Sequence, residues 1–145
     1  MSYSIATSTI DTRAVIEPVI SAAWVALGYT ADTIEWPNVH FTKPGNGPWI
    51  RVSYTDQSSE PFTYGGGVVA NETICVLQIQ IFAPKNMGAG VMHAAADKFR
   101  ATFERQNFGA GIIFMRPVGP QSIDDAVWAG VLLNLPFTFF EAITI

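Results

Sequence analysis

Three consecutive glycines form a pattern that could bind phosphate through backbone amides. They lie in the segment YGGGVVANE, residues 64–72. A phosphate-binding loop of the nucleotide hydrolases needs the spacing GxxxxGK[ST] and a following helix, whose N-terminal amides hold the anion. Here no lysine follows, and the β-branched run ICVLQIQIF predicts a strand instead. We therefore predict that Gly65, Gly66 and Gly67 form a flexible loop before a strand, where another chain could approach closely.

The residue types used in acid–base, metal and nucleophilic chemistry are few and scattered. The two histidines, His40 and His93, lie in unrelated segments, and Cys75 is the only cysteine. The one paired carboxylate is Asp124-Asp125, but adjacent strand positions point to opposite sides and rarely act together. No GxSxG nucleophile motif is present. We predict that the chain is not an enzyme and has no catalytic, metal or cofactor site.

Length, composition and charge restrict the class of protein. A chain of 145 residues fits a single domain, residues 1–145, because domains cluster near ~100–150 residues. A formal charge of −4 without a basic run disfavours specific binding of nucleic acid. No apolar run reaches the ~18 residues that cross a bilayer, and the N-terminus has no signal-peptide pattern, so we expect neither membrane association nor export. Only 14% of the residues are charged, which suggests that a partner covers some apolar surface.

Two segments have the periodicity of helices. Residues 9–27 begin with a capping-box pattern and carry apolar residues at helical spacing up to Gly28. Pro18 lies inside this segment and predicts a kink or a second helix start, because proline cannot donate to the preceding turn. Residues 91–106 form the second predicted helix. Its predicted buried face consists of Met92, Ala95, Ala96, Phe99 and Phe103.

Five segments have the pattern of strands. They are residues 34–36, 49–55, 71–83, 111–116 and 126–140. The segments between them are predicted to be connections, including an irregular loop up to residue 47 and a long loop at residues 57–69. Because there are two helices and no repeated βαβ unit, this order of elements predicts an α+β fold. The sheet is expected to be largely antiparallel or mixed and to pack against the two helices.

Alternation of side chains assigns a core face to the predicted strands. In residues 49–55, Ile50, Val52 and Tyr54 are expected in the core and the opposite face is expected to be polar. In residues 126–140 Pro136 predicts a sheet edge or a bulge, because it cannot donate to a strand ladder. The residues expected to share the core face of that last strand are Val127, Val131, Leu133, Leu135, Phe137 and Phe139.

The strand at residues 71–83 has two different faces. One face is predicted to be core and consists of Cys75, Leu77, Ile79 and Ile81. The other face places Gln78 and Gln80 among apolar neighbours. Such a mixed face is typical of a sheet surface that contacts solvent or another subunit. The second case indicates self-assembly.

Several of these segments occur in an order that resembles a known family. The chain contains WPNVHFTKP, then IRV, then YGGGVVANE running into ICVLQIQIFAP, and later AADKF and a final strand ending in NLPF. This pattern resembles the tail terminator family of long-tailed, siphovirus-like bacteriophages. The resemblance covers residues 10–139 and includes no catalytic signature.

The resemblance implies a structural virion protein that forms a ring of its own copies, typically six, on the end of the tail tube. The ring would stop tube polymerisation and join the tail to the head connector, so the implied partners are the tail tube protein and the connector or stopper protein. DNA would only pass through the lumen. The implied location is the neck region of the virion tail, after synthesis in the host cytoplasm, and no cofactor is implied.

Three surfaces are expected to meet the tube or another subunit. Residues 57–69 would be a mobile arm, the WPN segment a contact rim, and Asp124-Asp125 a polar contact or an acidic pair facing the lumen. The expected interface residues are Trp36, Pro37, Asn38, Tyr64, Gly65, Gly66, Gly67, Glu72, Gln78, Gln80, Asp124 and Asp125.

Two other interpretations remain open from the residues. A different neck or tail-completion subunit would also form a ring but would lie on the head side. A small ligand-binding or enzymatic α+β domain would need an enclosed pocket with convergent polar groups, and few polar residues fall at core-like positions.

Overall fold

A computed structural model of the chain describes residues 9–63, 68–87, 90–108, 112–123 and 127–144. These ranges contain two helices and six strands. They also contain two short 3₁₀ turns, Ala31–Thr33 and Lys85–Met87, in the connections between these elements. The elements in chain order are α1 Thr9–Ala26, β1 Ile34–Glu35, β2 Trp49–Thr63, β3 Val68–Pro84, α2 Gly90–Phe103, β4 Ile113–Phe114, β5 Val118–Ser122 and β6 Trp128–Thr144.

The six strands form one mixed sheet. Its order is β1-β2-β3-β6-β4, and β5 also pairs with β6. β1 is parallel to β2, and every other pairing is antiparallel. The predicted α+β class is therefore confirmed, with one strand, β5, that the sequence patterns did not predict.

Helix α1 follows the predicted apolar stripe. Ile16, Ile20 and Trp24 are fully buried at a spacing of four residues, which places them on one face. The Trp24 indole Nε1 donates to the Thr33 hydroxyl at 2.7 Å and so fixes the segment after the helix. Pro18 lies on the exposed side within one continuous helix, so a second helix start at this residue was wrong.

Helix α2 buries all five residues of its predicted core face. It ends at Phe103, three residues before the predicted end, because Arg105 has a left-handed backbone with φ of 54°. The carbonyl of Gln106 then accepts from the Phe114 amide at 2.9 Å, and the Arg105 amide donates to Met115. The chain after Phe103 therefore continues along β4 instead of completing another helical turn.

The main core lies between the two helices and one face of the sheet. The predicted core residues of β2 and β3 are confirmed: Ile50, Val52, Cys75, Leu77, Ile79 and Ile81 are buried, and Tyr54 packs against them half-buried. In β6 the alternation holds from Val131 to Phe139. Val127 was wrongly assigned to this face, since it precedes the strand and is 67% exposed.

The opposite face of β2 was predicted to be polar, but an aromatic cluster covers its first residue. Trp49 is 1% exposed and stacks on Phe82 with ring centroids 4.5 Å apart. Trp128 meets Trp49 edge-on at 5.9 Å, and Phe41 from the loop after β1 packs at 5.4 Å. This end of the sheet thus has a second small core, which the loop at residues 36–48 helps to build.

Pro136 lies in a strand inside the sheet, but neither β4 nor β5 pairs with β6 at this residue, so the predicted edge is present locally and the alternative of a bulge is not. It pairs with Val76 of β3, and its carbonyl accepts from the Met115 amide at 2.9 Å on the other side. Because the nitrogen and the carbonyl of a strand residue point to the same side, the missing donor also faces Met115. Residues 115–117 lie between β4 and β5, so no ladder bond is lost there.

The long loop predicted at residues 57–69 was also wrong. β2 continues to Thr63 and β3 begins at Val68, and the two strands pair over this whole length after one register shift between Asp56 and Ser58. The polar segment QSSEPFT, residues 57–63, lacks the alternation of apolar and polar residues that predicts a strand. Its extended conformation therefore depends on pairing with β3. Tyr64, Gly65, Gly66 and Gly67 lie outside the described residues.

Candidate assembly surface

The sheet face that points away from the helices is the candidate functional surface, here called the open face. Strand alternation places residues of even number in β3 and β6 on this face. The register aligns Ser53 with Gln78 and Asn134, and Thr55 with Val76 and Pro136. The open face is defined by Arg51, Ser53, Thr55, Val76, Gln78, Gln80, Val118, Leu132, Asn134 and Pro136.

Gln78 joins three strands across the middle of the open face. Its Nε2 donates to the Asn134 side-chain oxygen on β6 at 3.1 Å. Its Oε1 accepts from the Ser53 and Thr55 hydroxyls on β2, each at 3.4 Å. We call these four residues the Gln78 bridge. The sequence pattern singled out Gln78 but not its three partners, which come together only through the strand register.

Gln80 belongs to a neighbouring polar group. The Arg51 Nη1 donates to Gln80 at 3.3 Å, and the Arg51 Nε donates to the Glu35 carboxylate at 3.0 Å. The ion-pair side chains are 39% and 28% exposed, so solvent reduces this pair to less than ~1 kcal/mol. The guanidinium also lies 5.4 Å from the Trp49 ring and 5.6 Å from the Phe82 ring. Arg51 therefore connects the open face to the aromatic cluster.

A shallow groove of about 310 Å³ runs beside the Gln78 bridge. Its lining consists of Thr55, Val76, Gln78, Val118, Asn134 and Pro136 and contains no charged residue. Val118 is 57% exposed at its rim, and the nearby Ile113 and Met115 are 41% and 39% exposed. An uncharged groove with an apolar rim suits contact with protein better than contact with an anion or a metal ion.

The structure does not bring the predicted interface residues to a single place. Trp36 packs against the main core on the helix side, whereas Gln78 and Gln80 lie on the open face. Pro37 is half-buried, and Asn38 is exposed in a turn with a left-handed φ of 59°. Glu72 is on the same face as Gln78 but six residues along β3, or ~20 Å away. Asp124 and Asp125 lie outside the described residues.

Among the described residues one titratable group, Tyr54, has a clearly shifted pKa, and sequence reasoning missed it. Tyr54 lies under α1, where its hydroxyl donates to the Glu17 carboxylate at 3.5 Å and the Arg13 guanidinium lies 4.5 Å from its ring. Burial raises the pKa of Tyr54 well above its ordinary value, and the charge of Glu17 raises it further. These contacts join Tyr54 of β2 to two residues of α1, Arg13 and Glu17.

The described ranges contain neither a set of metal-binding side chains nor a membrane-spanning helix. No group of three histidine, cysteine or acidic side chains there could hold a metal ion. Within the same ranges, no helix has the length and apolar character needed to cross a bilayer.

Comparison with known proteins identifies the family. The sequence profile of the phage tail terminator protein family matches residues 13–130. The chain belongs to this phage tail terminator family. The matched region extends from α1 to the start of β6, so it includes both helices and all six strands at least in part. The resemblance drawn from the sequence is thereby confirmed, and the protein is a structural component of a phage tail.

Structural comparison shows the same fold elsewhere. Twelve solved chains match the tail terminator. One of them has a TM-score of 0.66 at 20% identity over 92% of this chain and 96% of its own length. At that identity the match shows a shared fold. No curated protein sequence matches the tail terminator.

Proposed function

We propose that this tail terminator forms a ring, of six copies, on the end of the phage tail tube. There it stops tube polymerisation and joins the tail to the head connector, so its partners are itself, the tube protein and the connector protein. The family match over residues 13–130 carries the proposal. The uncharged groove on the open face supports it, because a subunit that binds protein on two sides needs surface free of strong charge.

Solution mass tests the ring. Six copies of the 15.8 kDa chain have a mass of about 95 kDa, which light scattering behind a sizing column distinguishes from a monomer at low and at high salt. If the ring forms only on a tube, addition of polymerising tube protein should give capped tubes of arrested length. A protein that remains monomeric and leaves tube growth unchanged would contradict the proposal. Binding to the connector without binding to tubes would instead support a head-side neck protein.

The acidic pair Asp124-Asp125 is proposed to face the lumen. Six chains at −4 each give the ring a charge of −24, and negative charge around a channel would keep passing DNA from adhering. Replacing both aspartates by lysine should slow DNA passage while the ring mass stays the same. Normal infectivity of particles carrying this variant would contradict the lumen position.

A further inference from the structure

Three strands, β2, β3 and β6, form the end of the sheet near the β2–β3 connection. The two outer strands, β2 and β6, have open edges there among the described residues. Residues 58–63 of β2, 69–74 of β3 and 138–143 of β6 are aligned row by row, from Ser58, Ile74 and Thr138 to Thr63, Val69 and Ile143. We call this part the distal block. β1 pairs with β2 only at Ile50 and Arg51, and β4 pairs with β6 only up to Thr138.

Apart from Thr138, which pairs with β4, both outer edges of the distal block are therefore unpaired within the described residues. On one side β2 has no neighbour beyond Arg51 among these residues, and on the other side β6 has none beyond Thr138. An unpaired edge presents a row of backbone donors and acceptors, and proteins normally shorten, charge or cover such edges. The β6 edge, FEAIT at residues 140–144, contains no proline and one charged residue, Glu141, and the β2 edge at residues 58–63 contains one proline, Pro61, and one charged residue, Glu60. A proline removes at most one donor from the row.

We propose that the β6 edge of one subunit pairs with the β2 edge of the next subunit, so that neighbouring distal blocks form one continuous sheet. This inference rests on the proposed ring and names the contact that closes it. β2 and β6 both run antiparallel to β3, so they point in the same direction. Rotation from one subunit to the next preserves strand direction about the ring axis, and the new pair is therefore parallel.

A second copy fits these edges better than an unrelated partner because the two edges complete each other. A ring requires a head-to-tail contact in which each subunit contributes two different surfaces. The distal block provides two such surfaces at the same level of the sheet, six residues long on β2 and five residues long on β6, residues 139–143. In a ring of six, three strands from each copy give eighteen strands, a size at which closed barrels leave an aqueous channel.

Disulfide trapping tests the contact in the full-length chain. In a Cys75→Ala background, six double-cysteine variants each combine one β2 position with one β6 position on the same sheet face. The β2 positions are Ser58, Glu60 and Phe62, and the β6 positions are Phe140 and Ala142. Within one chain β3 separates the two strands by two strand spacings, ~9.5 Å, which exceeds the ~7 Å reach of a disulfide. Every disulfide between these positions must therefore join two subunits.

The expected result is a covalent ladder ending at six chains on a denaturing gel for at least one same-face pair. The matched control, Ser59→Cys with Ala142→Cys, places the thiols on opposite faces and should not cross-link. Rings of about 95 kDa without a cross-link from any of the six pairs would overturn the edge contact and leave the ring proposal intact. Cross-linking of Ser58→Cys alone would also overturn it, because that requires two-fold pairing of β2 with itself. Protein that stays monomeric with and without tubes would refute the ring and the edge contact together.

Discussion

Replacing Gln78 by methionine tests whether the Gln78 bridge holds the three central strands together. Methionine keeps the length of the side chain but removes both polar groups. The bond to Asn134, at 3.1 Å, has ordinary length and contributes ~1 kcal/mol, whereas the two contacts at 3.4 Å are long and contribute less. Asn134 is half-buried, so water can replace its lost partner and no desolvation penalty is added. We therefore expect the free energy of unfolding to fall by ~1–1.5 kcal/mol, or a few degrees in Tm.

Urea unfolding of the monomer measures this change, and a double-mutant cycle with Asn134→Ala isolates the shared bond. The coupling energy should be ~0.5–1 kcal/mol, because residues in direct contact are not additive. Gln121→Met on β5 is the matched control, since Gln121 is an exposed strand glutamine whose replacement should change stability by less than ~0.5 kcal/mol. A coupling energy of zero would refute the assignment of Gln78 as a bridge between strands.

Two further predictions follow from the packing. The pKa of Tyr54 is raised in the folded protein, so above pH 10 the unfolded chain loses this proton first. The free energy of unfolding should therefore fall by up to ~1.4 kcal/mol per pH unit relative to that of Tyr54→Phe. Urea titrations from pH 9 to 11.5 measure this difference, and parallel curves for the two proteins would contradict it. Gly130→Ala would place a Cβ 2.9 Å from the Phe82 ring, so thermal unfolding should show a loss of ~1–3 kcal/mol. Gly45→Ala, with no atom within 4 Å of its added Cβ, should have little effect, and an equal loss in both variants would argue against the steric cause.

The sequence predicted those parts of the fold whose periodicity reflects burial on one side. The core faces of α2 and β3 were correct because the residues of each predicted face recur with the period of the element and pack in the same main core. β5 was missed because PVGPQS has two prolines and a glycine with φ of 104°, and only pairing with β6 makes this segment a strand. Trp49 was expected on a polar face because nothing in the strand itself shows that Phe41 and Trp128 return to cover it.

The candidate site was predictable only in part, for a related physical reason. Alternation identified Gln78 and Gln80 as unusual, but the partners of Gln78 (Ser53, Thr55 and Asn134) and of Gln80 (Arg51) lie on other strands. The sequence does not give the register between strands. The segment expected to be a mobile arm is extended strand as far as Thr63. The proposed contact between subunits therefore uses this segment as a strand edge that a neighbour can join, and not as a flexible loop that reaches across a neighbour.

Stability and assembly can therefore depend on different parts of one sheet. The aromatic cluster around Trp49 covers the end where β2 begins, and the helices cover the main core, which extends along the sheet as far as Phe139 at the start of the distal block. The distal block continues the same strands past Thr55 and ends with two unpaired edges among the described residues. Because folding draws on the covered part, substitutions along the outer edges can abolish ring closure without unfolding the subunit. Substitutions in the covered part, such as Gly130→Ala, should have the opposite effect. They should lower the free energy of unfolding, while the subunits that remain folded still form rings.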